Sequence, residues 1–212
     1  MRNVIIIIVI LLMGCKAPKQ EVKCFEGDII CKFDYPSKGN TLDSIKYYLG
    51  DTMTITIKND LFKIRYNGKA PFLSFDYFIF SGTRNDATIK LFGDSVLYSF
   101  DRKKMGDTAF SVIEDDSEQE EISGILCKKI QFLGNNGMKI TYYYNEDSLK
   151  ICSPAFPNIN LQQGIGKILL LKKCFPVKCI MSINNSTTTW NIARIEHKSI
   201  DSTILLNEAG FQ

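Results

Sequence analysis

From residue 51 onward the chain keeps a period of two, and that period limits its fold more than any other feature. Met53, Ile55 and Ile57 alternate with Thr52, Thr54, Thr56 and Lys58, so a strand here has one apolar and one polar face. Asn59-Asp60 supply a turn, after which Phe62, Ile64 and Tyr66 alternate with Lys63 and Arg65. The pattern returns at residues 88–92 and 96–100 around Gly93-Asp94, and at 177–183 and 187–197, the last strand containing Trp190. Residues 122–133 and 138–145 flank Gly134-Asn135-Asn136-Gly137, with Met138, Ile140, Tyr142 and Tyr144 on one face. Residues 72–80, which include Phe75 and Tyr77, are apolar on both faces and predict a strand covered on both sides or facing a cavity on one. Residues 24–35 supply a first strand, 109–113 a short one, and 167–173, centred on Ile168 to Leu171, a deeply covered one. Thr41 to Leu49 is the best helix candidate, with Thr41 as N-cap and Gly50 as stop, and 200–206 is a turn of helix or a short edge strand. About eleven strands in up-and-down order give a mainly β fold. The expected architecture is a strongly curved antiparallel sheet or open barrel with one or two short helices, a two-sheet sandwich being the alternative.

The start of the chain addresses location. Arg2 precedes ten unbroken apolar residues, Val4 to Met13, and Gly14-Cys15 follow. That run is too short for a finished membrane helix, which needs about 20 residues, and has the size of a secretory signal's hydrophobic region. Leu12-Met13-Gly14-Cys15 resembles the lipobox of bacterial lipoproteins. The resemblance implies that residues 1–14 are a lipoprotein signal peptide, that Cys15 is the lipidated first residue of the mature chain, and that 15–23 tether a single β-rich domain, 24–212, to the membrane. Each buried methylene of such an anchor contributes about 0.8 kcal/mol, and two or more chains hold a protein in practice permanently. Lys16 does not resemble an inner-membrane retention signal, so the outer membrane is the expected location, facing the periplasm or the outside.

Six cysteines remain: Cys24, Cys31, Cys127, Cys152, Cys174 and Cys179. Outside the cytoplasm an even number permits disulfides, and six allow fifteen pairings. Cys174 and Cys179 flank Phe-Pro-Val-Lys, so a bridge closing a hairpin there is one expectation; buried free thiols are the other. A net charge of +3 gives no sign of a nucleic-acid partner. There is no CxxC and a single histidine, His197, so neither a metal nor a cofactor is implied. Residues 114–121 hold six carboxylates in eight positions without the spacing of a calcium loop, and a solvated acidic turn is expected. No nucleophile has an evident base, and no glycine loop suits a phosphate, so the chain does not read as an enzyme.

Gly124-Ile125-Leu126-Cys127-Lys128-Lys129, followed by Thr141-Tyr142-Tyr143-Tyr144, resembles the paired strands of GLPGLI-type and related envelope lipoproteins of Bacteroidetes. Gly164-Ile165-Gly166-Lys167-Ile168-Leu169 echoes that family's namesake segment, without its proline. Such proteins are similar in class to LolA and LolB, unclosed antiparallel barrels whose concave face can hold acyl chains. One expectation is an apolar ligand, a lipid or another lipoprotein's acyl chains, and the surplus apolar surface of residues 72–80 and the aromatic stripe make Phe75, Tyr77, Tyr142, Tyr144 and Trp190 the candidate ligand-binding residues. The competing expectation is a non-catalytic structural or interaction module of the envelope, in which the same aromatics are core. Residues 153–166 are irregular and somewhat apolar, a flap over a groove or a long crossover loop.

Overall fold

The computed structural model describes residues 24–35, 40–84, 86–101, 110–134, 137–152, 165–183 and 186–211. The leader, Cys15 and the tether lie outside the described residues, as does most of the expected flap at 153–166. In chain order the elements are β1 (Gly27–Asp34), α1 (Asn40–Leu49), β2 (Thr52–Lys58), β3 (Leu61–Tyr66), β4 (Phe75–Ser81), β5 (Asp86–Leu91) and β6 (Leu97–Asp101). Then follow β7 (Phe110–Ile122), β8 (Ile125–Gly134), β9 (Lys139–Tyr144), α2 (Ile165–Lys172), β10 (Lys178–Ile183), β11 (Ser186–His197) and α3 (Ser202–Ala209). All eleven strands form one antiparallel sheet in the order β6-β5-β4-β3-β2-β1-β11-β10-β9-β8-β7. The expected open, curved sheet is therefore present, with three described helices rather than one or two.

Chain length forces the curl. Laid flat at about 4.8 Å per strand, the two edges would stand about 48 Å apart. Yet Asp101 on one edge and Phe110 on the other are nine residues apart in sequence, a span of no more than about 32 Å. Side chains report the same closure. Tyr66 on β3 and Tyr142 on β9 are five strands apart in the sheet, about 24 Å if flat, but both belong to one buried core cluster.

The concave face is a set of apolar rows. One row runs Ile130–Tyr142–Cys179–Trp190–Phe33 across β8, β9, β10, β11 and β1. Another runs Ile195–Ile29–Ile55–Ile64–Phe78–Ile89 from β11 to β5. A bulge at Ile30/Cys31 leaves Ala193 as the extra residue, so that Ile192 and Ile195, three apart, both pair with inward positions. α2 covers these rows with Ile165, Ile168 and Leu169, which belong to the main core cluster.

On the convex side, β4 is covered as its two apolar faces require. Phe78 and Phe80 join the main core, while Tyr77 and Ile79 pack beneath α3 with Ala209 and Phe211. α3 is well bounded. Asp201 caps it by accepting from the Thr203 N–H at 2.9 Å, and Gly210 ends it at φ +66° while its N–H donates to Asn207.

Four local expectations fail. Residues 167–172 are helical, not a strand. A run of four apolar residues cannot separate a buried strand from a buried helix, and Ile165, Ile168 and Leu169 recur at helical spacing while Leu170 and Leu171 are exposed. The acidic stretch is not a turn but the second half of β7, opposite the basic part of β8: Gln119 pairs with Lys128, Asp115 with Lys129, and Glu118 forms an ion pair with Lys129. Residues 122–133 are not one strand, because the chain reverses at Ser123-Gly124, both at positive φ, in a two-residue hairpin. Cys174 and Cys179 are not bridged. The segment between them is the exit from α2 into β10, and both are buried free thiols.

Candidate functional site

Two of the aromatic chains among the described residues run along the concave face. Phe132, Tyr142, Trp190 and Phe175 follow one another with ring centroids 5.9, 6.3 and 6.0 Å apart. Tyr35, Phe33, Tyr66 and Phe75 follow at 5.8, 6.2 and 6.4 Å. Of the five expected ligand-binding residues, Tyr142, Tyr144 and Trp190 are buried on this face, and Phe75 is half-buried at its margin. Tyr77 lies on the opposite face, where its hydroxyl donates to the Glu208 carbonyl at 3.1 Å.

Complete burial holds the Tyr142 hydroxyl far above its ordinary pKa, and it is hydrogen-bonded to the Cys179 thiol. Burial pushes Cys174 up to about 12 and raises Cys31, Cys127 and Cys179 as well. Thiols held protonated in this way are poor nucleophiles at neutral pH. Among the described residues no group of three metal-ligating side chains comes together.

The open space is elsewhere. At the end of the sheet where β1 begins and β11 finishes, a cleft of about 750 Å³ is lined by Phe25, Ile125, Leu149 and Ile195, with Glu26, Asp147, Lys150, His197 and Lys198 among its polar residues. This volume lies within the ~300–1,000 Å³ range of small-molecule sites, and an apolar wall faces a rim in which polar and charged residues outnumber the apolar ones. Phe25, Leu149 and Ile195 also pack in or against the main core. The cleft floor is thus continuous with the concave face that holds Tyr142 and Trp190.

Links between distant parts of the sequence hold the cleft in shape. Cys24, which lines it, is bridged to Cys152 across 128 residues, with Cα atoms 5.5 Å apart. The Phe25 N–H donates to the Lys150 carbonyl at 2.8 Å, Ile151 donates to Lys173 at 2.8 Å, and Phe175 donates to Leu149 at 3.0 Å. Residues 149–151 are therefore held between the segment entering β1 and the exit of α2. Glu26 receives the Lys58 ammonium at 2.7 Å and the Ile200 N–H at 2.7 Å, and these bonds keep its carboxyl below the usual range. Gly27 is required there, since an added Cβ would lie 1.9 Å from the Glu196 carbonyl oxygen. The Phe25 ring meets His197 edge-on at 5.2 Å.

Sequence reasoning did not single out Phe25, Leu149 or Ile195 as site residues. They meet through contacts that follow no local period. The one available signal was the pair Cys24 and Cys152, and composition alone does not pair them.

No protein-family model matches the chain, and no curated protein matches it. Solved structures resemble it in chain path. An uncharacterized conserved protein from Thermus thermophilus aligns with a TM-score of 0.45 at 5% identity over 85% of this chain and 84% of that one. A putative outer membrane lipoprotein-sorting protein domain from Vibrio parahaemolyticus gives 0.38 at 8% identity over 88% and 92%. A LolA superfamily protein from Nitrosomonas europaea gives 0.35 at 9% identity over 87% and 90%. At such low scores, what the chain does must be read from its own side chains. No described helix is long and apolar enough to cross a membrane.

Proposed function

We propose that this chain is a lipid-anchored protein of the bacterial envelope, held at the outer membrane through Cys15, and that it binds a lipid or another lipoprotein's acyl chains at the mouth of its curled sheet. The observation that carries the reading is the cleft of about 750 Å³ whose apolar floor is continuous with the concave core. An acyl chain lying along Phe25, Leu149 and Ile195 would bury apolar surface at roughly 25 cal/mol per Å². Tyr142, Tyr144 and Trp190 act in this reading as the floor that shapes the site. No reactive group is asked of the protein, which acts as a carrier and not as a catalyst. The similarity of its 124–129 and 141–144 segments to GLPGLI-type lipoproteins of Bacteroidetes belongs to the same proposal.

A second reading, a structural or interaction module, draws on the near-complete burial of Tyr142, Tyr144 and Trp190, which are 0%, 0% and 1% exposed. The two separate in one experiment. An anthroyloxy-labelled fatty acid should bind the purified protein at one site, and Leu149→Trp, which fills the cleft, should weaken it about tenfold, equivalent to about 1.4 kcal/mol. Equal or absent binding in both proteins favours the structural module. The anchor is checked separately: Cys15→Ala should leave the membrane fraction.

A further inference from the structure

The end of the sheet opposite the cleft exposes a group of large apolar side chains. β1 starts beside the cleft at Gly27 and ends at Asp34, so α1, the β3–β4 turn and the β5–β6 turn all lie at the far end. There Phe72 and Leu73 are 60% and 62% exposed, Tyr47 is 56% exposed, and Tyr48 and Phe92 are 38% and 39% exposed. Backbone bonds tie these segments together. Phe72 donates to the Phe92 carbonyl at 2.8 Å, and Lys69 donates to the Tyr47 carbonyl at 3.3 Å.

The β3–β4 turn is not loose. The buried Ser74 hydroxyl accepts from the Ala70 N–H at 2.8 Å, and the Ser74 N–H donates back to the Ala70 carbonyl at 2.8 Å. Within that frame Phe72 sits at φ +58°, a region that bulky residues avoid. The fold therefore fixes an aromatic ring outward in a strained conformation, where a glycine would be relaxed. The nearby acids are engaged locally, Asp51 with Asn67 and Asp94 with Val96 and Tyr98, while Lys46 and Lys69 are exposed beside the patch.

We propose that this far end is a bilayer-contact surface, in which Phe72 and Leu73 enter the boundary between headgroups and acyl chains. Tyr47 and Tyr48 sit at headgroup depth, as amphipathic rings do, and Lys46 and Lys69 face the phosphates. The inference rests on the tethered reading above, which supplies the membrane. Cys15 and Cys24 are nine positions apart in sequence, a reach of at most about 32 Å, whereas β1 is about 26 Å long. The anchor therefore leaves enough length for the domain to lie on its side, with both ends at one surface. Tethering also raises the local concentration of membrane, so a small patch suffices.

The test uses the full lipidated protein in vesicles of phosphatidylethanolamine and phosphatidylglycerol, carrying Phe72→Trp or, as a second probe, Leu73→Trp. Trp190 is buried and gives a constant background. The introduced tryptophan should shift to the blue and lose about half its emission when the acyl chains are brominated. Vesicle flotation reports the tether independently. Protein that floats with an unquenched, solvent-like probe overturns the contact surface and leaves the anchor standing. Protein that does not float overturns the anchor and the contact surface together.

Discussion

The two ends of the curled sheet are finished in opposite ways. At the cleft end the closures are long-range: Cys24 to Cys152, Glu26 to Lys58 and Ile200, Asp28 to Lys198, Phe25 to Lys150. Polar groups sit among the lining, and the apolar surface faces into a space. At the far end the closures are short, Asn67 to Asp51 and Ser74 to Ala70, and the apolar side chains face out. A space in a protein persists only if its walls are held apart by something other than their own packing. Long-range links do that at one end, while the other is tied over shorter spans, Lys69 to Tyr47 and Phe72 to Phe92.

The largest expected effect tests whether the concave row between the two ends is true core. Trp190→Ala should cost about 3–5 kcal/mol in thermal or denaturant unfolding. A loss below about 1 kcal/mol would mean that the row from Ile130 to Phe33 is loosely packed. Next, Cys152→Ala removes the covalent link and should cost about 2–5 kcal/mol. Hydrogen exchange should quicken at residues 24–34 and 149–152 and stay unchanged at 67–74; uniform acceleration would erase the difference between the ends. At the far end the sign reverses. Phe72→Gly relieves a left-handed conformation that costs about 1–3 kcal/mol, and it gives up little burial, so stability should hold or rise by up to about 1 kcal/mol.

The smallest effect is in pH. The Cys174 thiol is raised to about 12 by burial, so the folded state keeps a proton that the unfolded chain releases from about pH 8.5. That contribution is complete below about pH 8.5 and is lost as the pH climbs toward about 12. Cys174→Ala should therefore flatten the alkaline fall in unfolding midpoint, and an unchanged slope would show that burial does not protect this thiol.

How much of this was legible in the sequence varies with the range of the interactions. β2 and β3 were plain, because strict alternation around Asn59-Asp60 admits one pairing. β4 was legible as a strand covered twice, though not that α3 would cover it. α2 was misread, because Ile168 to Leu171 is apolar whichever period it obeys, and the covering sheet decides. β7 was cut short because its carboxylates look solvated until Lys128 and Lys129 are set opposite them. Ser123-Gly124 carried a turn signal that lay inside an otherwise continuous strand pattern. Of the concave-face aromatics, Phe75, Tyr142, Tyr144 and Trp190 were named as site candidates from the sequence, Phe33, Tyr66, Phe132 and Phe175 were not, and Tyr77 faces the other way because a bulge lies between it and Phe75. The cleft was not, because Phe25, Leu149 and Ile195 come together only when the sheet curls and the Cys24–Cys152 link forms.

The most direct measurement is mass spectrometry of the native protein purified from its own cells, followed by solvent extraction of the same sample. A single co-purifying lipid per chain in the wild type, absent from Leu149→Trp, is the expected result. Protein free of lipid in both forms, with the cleft occupied by its own residues, would contradict a carrier.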